Sequence, residues 1–211
     1  MTARAIRRTQ AQRRSQSEQG LLKAAIDVIA REGVGAVTFE NLGRASGFSR
    51  GLATQRFGSK QKLIEALLAH LHERQDAMLQ DHRLDERPGL EAVLTYVDAC
   101  LRDLAQSNEA RAYFMLLSSA VAEASDLRSS FREVHAEVEA RLMRWVAKGK
   151  AQGAIRTDID GRAAALMIGC LMFGLSMQLL VDPAMDLGPT REMSLAMVRA
   201  SLAAAAPLPT A

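Results

Sequence analysis

From Ala163 to Val181 the chain runs 19 residues (AAALMIGCLMFGLSMQLLV) without one charge, and a segment that long must hide its surface somewhere. Its length approaches a membrane span. Its content points elsewhere: Ala165, Gly169, Gly174, Ser176 and Gln178 interrupt the large apolar residues, no Trp or Tyr belt flanks it, and acidic residues stand near both ends. A helix apolar on all sides is buried somewhere, so the expectation is a helix at a protein interface, with a membrane anchor as the alternative. The rest of the composition supports a packed helical protein. The 211 residues are 48% apolar and 24% charged, enough to bury one or two cores. Nine aromatic residues and five prolines leave Ala, Leu, Met, Arg and Glu dominant, which favours helix over sandwich or barrel. The expected fold class is all-α, with about nine helices.

The net charge of +3 conceals a split. Residues 1–62 hold 12 Lys and Arg against four acids, a net +8, while the remaining 149 hold 15 bases and 20 acids, a net −5. A basic block of this kind suits one module meeting a polyanion. The first 17 residues are Arg-rich and acid-free. They read as a solvated tail or as an arm lying in a minor groove or along phosphates, and an organelle transit peptide has the same composition. No apolar core follows, which excludes a secretory signal. Cys100 and Cys170 are isolated thiols with no disulfide or zinc spacing, so a reducing compartment, the cytoplasm, is expected.

Three segments are expected: a basic arm over 1–17, a basic helical module over 18–62, and a helical remainder over 63–205. Ser17 is a candidate cap for a first helix over about 18–32, with Leu22, Ala25, Ile26 and Ile29 at core spacing and Gly33 at its end. Thr38 offers a cap to a second, short helix that stops at Ser46-Gly47. Ser49 offers one to a third that ends near Phe57. Three short helices with a Gly-containing turn between the last two form the helix-turn-helix arrangement. Helix four, with Ile64, Leu67, Leu68 and Leu71 in phase, runs on to about Asp81, and helix five spans Leu90 to Gln106 after Pro88-Gly89. Ser107-Asn108 opens helix six and Ser125-Asp126 helix seven, which Gly153 ends. Asp160 caps the uncharged helix eight, and Pro189-Thr190 starts helix nine.

The stretch SRGLATQRFGSK supplies the parts of a recognition helix. Ser49 is its cap, Ala53 and Phe57 are inward anchors, and Arg50, Leu52, Gln55 and Arg56 form the groove-facing set. Arg can be bidentate to guanine and Gln to adenine in the major groove. Thr38 and Ser49, as caps, and Lys60, beside free backbone N–H groups at the start of helix four, are placed to grip phosphates. No metal site is expected, because His70 and His72 stand about 200° apart around a helix. No P-loop, H-E-x-x-H, E-x-x-H or C-x-x-C occurs, and no catalytic residue, cofactor or enzymatic activity is expected.

At these residues the sequence resembles the TetR family of one-component bacterial transcription regulators. The likeness covers Arg31-Glu32-Gly33, TFENLGRASGFS and SRGLATQRFGSK, and a second stretch from Gly149 to Val181 is similar to the family's C-terminal pattern. The chain departs from that pattern at Gly43 and Ser46, which replace small Ala residues. In the third helix, Leu52 stands for the usual Thr, Thr54 for the usual Tyr and Arg56 for the usual His or Tyr. Leu52 offers a thymine methyl only apolar contact, and Thr54 keeps a hydroxyl with less reach.

The resemblance implies a homodimeric repressor of a palindromic duplex operator, released by a small-molecule effector and not bound to a membrane, with a DNA-binding domain over 18–62 and an effector-binding and dimerisation domain over 63–205. It implies an effector pocket among helices five to seven, where Tyr96, Cys100, Tyr113, Phe114, Phe131, His135 and Trp145 lie. Helices eight and nine would build a four-helix dimer interface through Leu166, Gly169, Cys170, Phe173, Met177, Met193 and Met197, with Met as adaptable packing. The competing reading is a helical-bundle enzyme or small-molecule carrier whose basic end binds acidic substrates.

Overall fold

The structure is a computed structural model that describes residues 10–204; Arg4, Arg7 and Arg8 of the expected arm, and the chain from 205 onward, lie outside the described residues. Nine α-helices occur among them, joined by two 3-10 turns at Val34–Ala36 and Leu84–Glu86, and the sole β pairing there is an isolated bridge between Ile155 and Ala203. The described residues divide into two compact units, with the boundary between Leu71 and His72. The division falls inside helix α4, later than the boundary expected after residue 62.

In the first unit, α1 (Gln10–Glu32) begins at Gln10, well before the expected start near 18. Its first residues, QAQRRSQS, are mostly good helix formers without an apolar stripe, so propensity extends the helix where periodicity is silent. Ser17 therefore caps nothing: it is buried within α1, and its hydroxyl donates to the Arg14 carbonyl at 2.9 Å. Arg13 and Arg14 of the basic segment thus lie on α1, before the helix start expected near 18. Leu21, Leu22, Ala25, Ile26 and Ile29 bury the inner face, and Gly33 ends α1 with a positive φ of 89°. Each such leucine or isoleucine contributes roughly 1.5–3 kcal/mol by leaving water.

Two one-turn signals then set α2 (Phe39–Ser46) and α3 (Arg50–Phe57). Thr38 Oγ1 accepts from the Asn41 amide at 3.1 Å, and Ser49 Oγ accepts from the Leu52 amide at 3.1 Å. Between them Gly47 takes the left-handed conformation at φ 72°. The two helices close tightly because Gly43 has no side chain. A Cβ there would lie 3.0 Å from the Phe48 carbonyl oxygen and 3.1 Å from the Arg50 nitrogen.

Helix α4 (Lys60–Asp81) runs from the first unit into the second, which continues with α5 (Gly89–Gln106), α6 (Asn108–Ala122), α7 (Leu127–Ala151), α8 (Gly161–Val181) and α9 (Leu187–Leu202). The caps Ser107 and Asp160 hold as expected, accepting from Ala110 and Ala163 amides. Helix α9 starts earlier than Pro189, at Leu187, because Asp186 Oδ1 accepts from the Gly188 amide at 2.9 Å and leaves Pro189 in the first turn. The core of this unit joins α5, α7, α8 and α9 through Val93, Val97, Leu101, Leu142, Val146 and Ile168. Arg191 of α9 bonds Asp98 of α5 at 2.5 Å, and Arg74 of α4 bonds Asp103 of α5 at 3.2 Å.

Helix α8 is long and apolar enough to cross a membrane by length and composition. One side of it, Ala164, Ala165, Ile168, Met172, Ser176 and Leu179, is buried in the bundle. Its other side is bare in the single chain, as described below.

Candidate nucleic-acid interface

The sequence folds α3 so that its short apolar side faces in and its polar side faces out. Ala53 and Phe57 are buried, Arg50, Thr54 and Gln55 are exposed, and Leu52 is half-buried. The Thr54 hydroxyl donates to the Arg50 carbonyl one turn back at 3.1 Å, which leaves its lone pairs to accept a bond from outside. Thr38, Arg50 and Lys60, far apart in sequence, come together on the walls of one surface cleft of about 390 Å³, with Phe39 and Glu40 as neighbours that sequence reasoning did not single out. Lys60 Nζ reaches the Val34 carbonyl only at 3.5 Å, a loose contact that leaves the ammonium available. The Lys60 ammonium and the cap hydroxyls of Thr38 and Ser49 are suited to phosphate oxygens, and the exposed side of α3 that carries Arg50 and Gln55 to base edges.

Arg56 departs from its expected place in the groove-facing set. Its Nη2 donates to Ser17 Oγ on α1 at 2.9 Å, and its Nε is buried with no hydrogen-bond partner. The guanidinium therefore ties α3 to α1 and is turned away from the side that carries Arg50 and Gln55. Position on a helical wheel gave the starting direction of this side chain, but not the path of its long flexible stem.

In the second unit a larger cleft of about 710 Å³ opens among α4 to α8. Of the expected pocket residues, Tyr96, Tyr113, Phe114, Phe131 and His135 line it. Cys100 and Trp145 do not. The Trp145 indole is buried and donates to Asp85 Oδ1 at 2.7 Å, a structural tie to the turn before α5. Cys100 packs against the core, and burial pushes its thiol up to about 12, so it is neither thiolate nor cleft wall. Tyr113 meets Phe114, Phe131 and His72 edge to face at ring distances of 5.3, 5.4 and 5.8 Å. Burial raises the Tyr96 and Tyr113 phenols above their ordinary values and lowers the His72 and His135 imidazoles below theirs, so all four are neutral at pH 7. Sequence reasoning missed Gln75, Arg128, Arg132 and Arg162 on the cleft; the signal available was the spacing of Arg128, Phe131, Arg132 and His135 on one side of α7.

The bare side of α8 continues onto α9. Leu166 and Met167 are 63% and 69% exposed, and Met193 and Met197 63% and 57%. Phe173, Gly169 and Cys170 are exposed with them, while Met177 is half-buried with its sulfur 3.4 Å from the Ser118 hydroxyl. Leu166, Gly169, Cys170 and Phe173 also edge the larger cleft. Large apolar side chains gathered on one face are uncommon on a free monomer. Among the described residues no group of His, Cys, Asp and Glu is arranged to hold a metal.

Comparison with known proteins agrees with this arrangement. Residues 21–67 match bacterial regulatory proteins of the tetR family, and residues 88–207 match the C-terminal domain of BetI-type transcriptional repressors. The chain belongs to the TetR family of DNA-binding transcriptional regulators, which are soluble and not enzymes. No curated protein matches it. Among solved structures, a TetR transcriptional regulator from Chloroflexus aurantiacus is similar at a TM-score of 0.79 and 16% identity, covering 92% of this chain and 99% of that one. A transcriptional regulator described from Saccharomonospora viridis in complex with choline is similar at 0.78 and 17%, covering 90% and 98%. The fatty acid degradation regulator FadR from Bacillus halodurans is similar at 0.73 and 17%, covering 92% and 96%. At these identities the likeness is one of fold.

Proposed function

We propose that the chain is a cytoplasmic homodimeric repressor that binds a palindromic operator and is released by a small-molecule effector. The observation that carries this reading is the pairing of an outward cationic surface on the first unit with a roomy apolar-walled cleft in the second. Thr38, Ser49 and Lys60 grip phosphates; Arg50, Leu52, Thr54 and Gln55 read the major groove. Arg56 holds α3 against α1 and acts on DNA only through that packing. Tyr96, Tyr113, Phe114, Phe131 and His135 form the effector walls, and the choline held by the S. viridis protein supports a small molecule as effector.

The bare faces of α8 and α9, with Leu166, Gly169, Cys170, Phe173, Met177, Met193 and Met197, meet the same faces of a second copy, since a two-fold contact is self-complementary. Two modules so paired need half-sites one helical turn of duplex apart, or a multiple of it. Helix α4 carries both Lys60 and Gln75, so a molecule in the cleft has a direct route to the operator-binding unit. The coupling is a shift between two states, one favoured by DNA and one by effector. Footprinting on genomic fragments retained by the chain tests the proposal. Two protected half-sites related by inverted symmetry, at two chains per site, are expected; a single unrepeated footprint at one chain per site would refute it.

A further inference from the structure

The cleft of the second unit has apolar walls and a one-sided rim. Three guanidinium groups, those of Arg128, Arg132 and Arg162, stand against one carboxylate, Glu139. That carboxylate is already engaged, because Arg162 Nε donates to Glu139 Oε1 at 2.8 Å. Arg128 and Arg132 make no side-chain hydrogen bond or ion pair among the described residues. They lie one turn apart on the same side of α7, a spacing at which like charges raise the energy of a helix. An oxyanion between them removes that penalty and meets the donor geometry of two guanidinium forks.

A cationic occupant finds no such support. The rim offers it no free carboxylate, and Tyr113 is already packed edge to face against Phe114, Phe131 and His72. The remaining wall takes an apolar body: Leu117, Phe131, Ile168 and Met172 line it together with these rings. A volume of about 710 Å³ falls within the usual range of small-molecule sites, roughly 300–1,000 Å³.

We infer that the cleft binds a carboxylate with an apolar body, its head held between Arg128 and Arg132 and its body laid against Phe131, Ile168 and Met172. This rests on the reading of the cleft as the effector site and narrows that reading to one chemical class. His135, one turn beyond Arg132 on α7 and also on the cleft, is neutral at pH 7 and adds a hydrogen-bonding group without a competing charge.

The test uses the full chain and sets of molecules that differ only in the head. Decanoate and 4-phenylbutyrate are titrated by calorimetry beside the alcohols and the trimethylammonium compounds with the same bodies, below micellar concentration. At least one carboxylate is expected to bind about tenfold or more tightly than both its counterparts. The double variant Arg128→Gln, Arg132→Gln, both exposed positions, should erase that preference while leaving the alcohol within about twofold. Equal binding of the alcohol or the ammonium compound, an undiminished preference in the variant, or no binding of either carboxylate overturns the inference. The same mixtures are then added to the protein–DNA complex. Carboxylate binding that leaves DNA affinity unchanged supports the ligand class and overturns the effector reading. Loss of carboxylate binding with DNA release by some other small molecule does the reverse.

Discussion

Replacing Gly89 by Ala adds one methyl group where α5 and α7 touch backbone to backbone. A Cβ at position 89 would stand 2.6 Å from the Gly149 Cα, and it would also meet the Gly149 nitrogen and the Trp145 carbonyl oxygen. Carbon atoms at rest are about 3.5–4.0 Å apart, so the helices must separate by roughly 1 Å. No rotamer change relieves this, since the obstacle is main chain. Separation loosens Leu90, Trp145 and Val146 around the crossing and stretches the 2.8 Å bond from the Gly89 amide to Gln152 Oε1. Overpacking costs about 1–3 kcal/mol and the weakened bond about 1 kcal/mol more, against a helix-propensity gain of about 1 kcal/mol for Ala.

The net loss is roughly 2 kcal/mol, which for a domain of this size lowers Tm by about 4–8 °C. Circular dichroism melts at one fixed protein concentration measure it, because a dimer's Tm depends on concentration. Gly51→Ala is the control: it lies in α3, and the nearest atom a new Cβ would meet is Ser49 Oγ at 3.9 Å. Its Tm should hold or rise. A Gly89→Ala melt within about 1 °C of the parent would refute the close crossing.

Three further outcomes follow from particular interactions. Arg56→Ala removes the bond to Ser17 and should cost about 1–2 kcal/mol of stability, seen in denaturant midpoints, while leaving the salt dependence of DNA binding unchanged. His72 and His135 have folded pKa values held below the ordinary 6.5, chiefly by burial, so the unfolded chain takes up protons first on acidification. Stability should therefore be full above pH 6.5 and fall as the pH drops through the folded values, and the double His→Gln variant should flatten that slope in urea titrations at pH 7.5 and 5. Met193→Glu places a charge on the bare face of α9 and should shift sedimentation toward the mass of one chain; an undisturbed dimer would place the interface elsewhere.

The short helices were legible because their punctuation is chemical: Thr38 and Ser49 supply cap oxygens on either side of the turn, and Gly47 permits a backbone angle other residues resist. The start of α1 was not legible, because residues 10–17 have no apolar side and a hydroxyl at 17 looks the same in sequence whether it caps a helix or bonds within one. The same residue hid the role of Arg56, since an interaction between positions 17 and 56 leaves no local trace. Periodicity placed Cys100 and Trp145 on the right helices but not on the right side of a cleft, which depends on how α5 and α7 cross. Arg128 and Arg132 were visible as charges, yet a charge on a helix reads as solvated surface until the neighbouring apolar walls are known.

Fluorescence anisotropy of a labelled duplex titrated with the chain across a salt series tests most directly that the first unit grips DNA through its exposed cations. The logarithm of affinity should fall linearly with the logarithm of salt. Lys60→Ala leaves one phosphate without its cation and should make the slope shallower by about 0.9. Tight binding that ignores salt, or a slope that Lys60→Ala leaves untouched, would contradict the account.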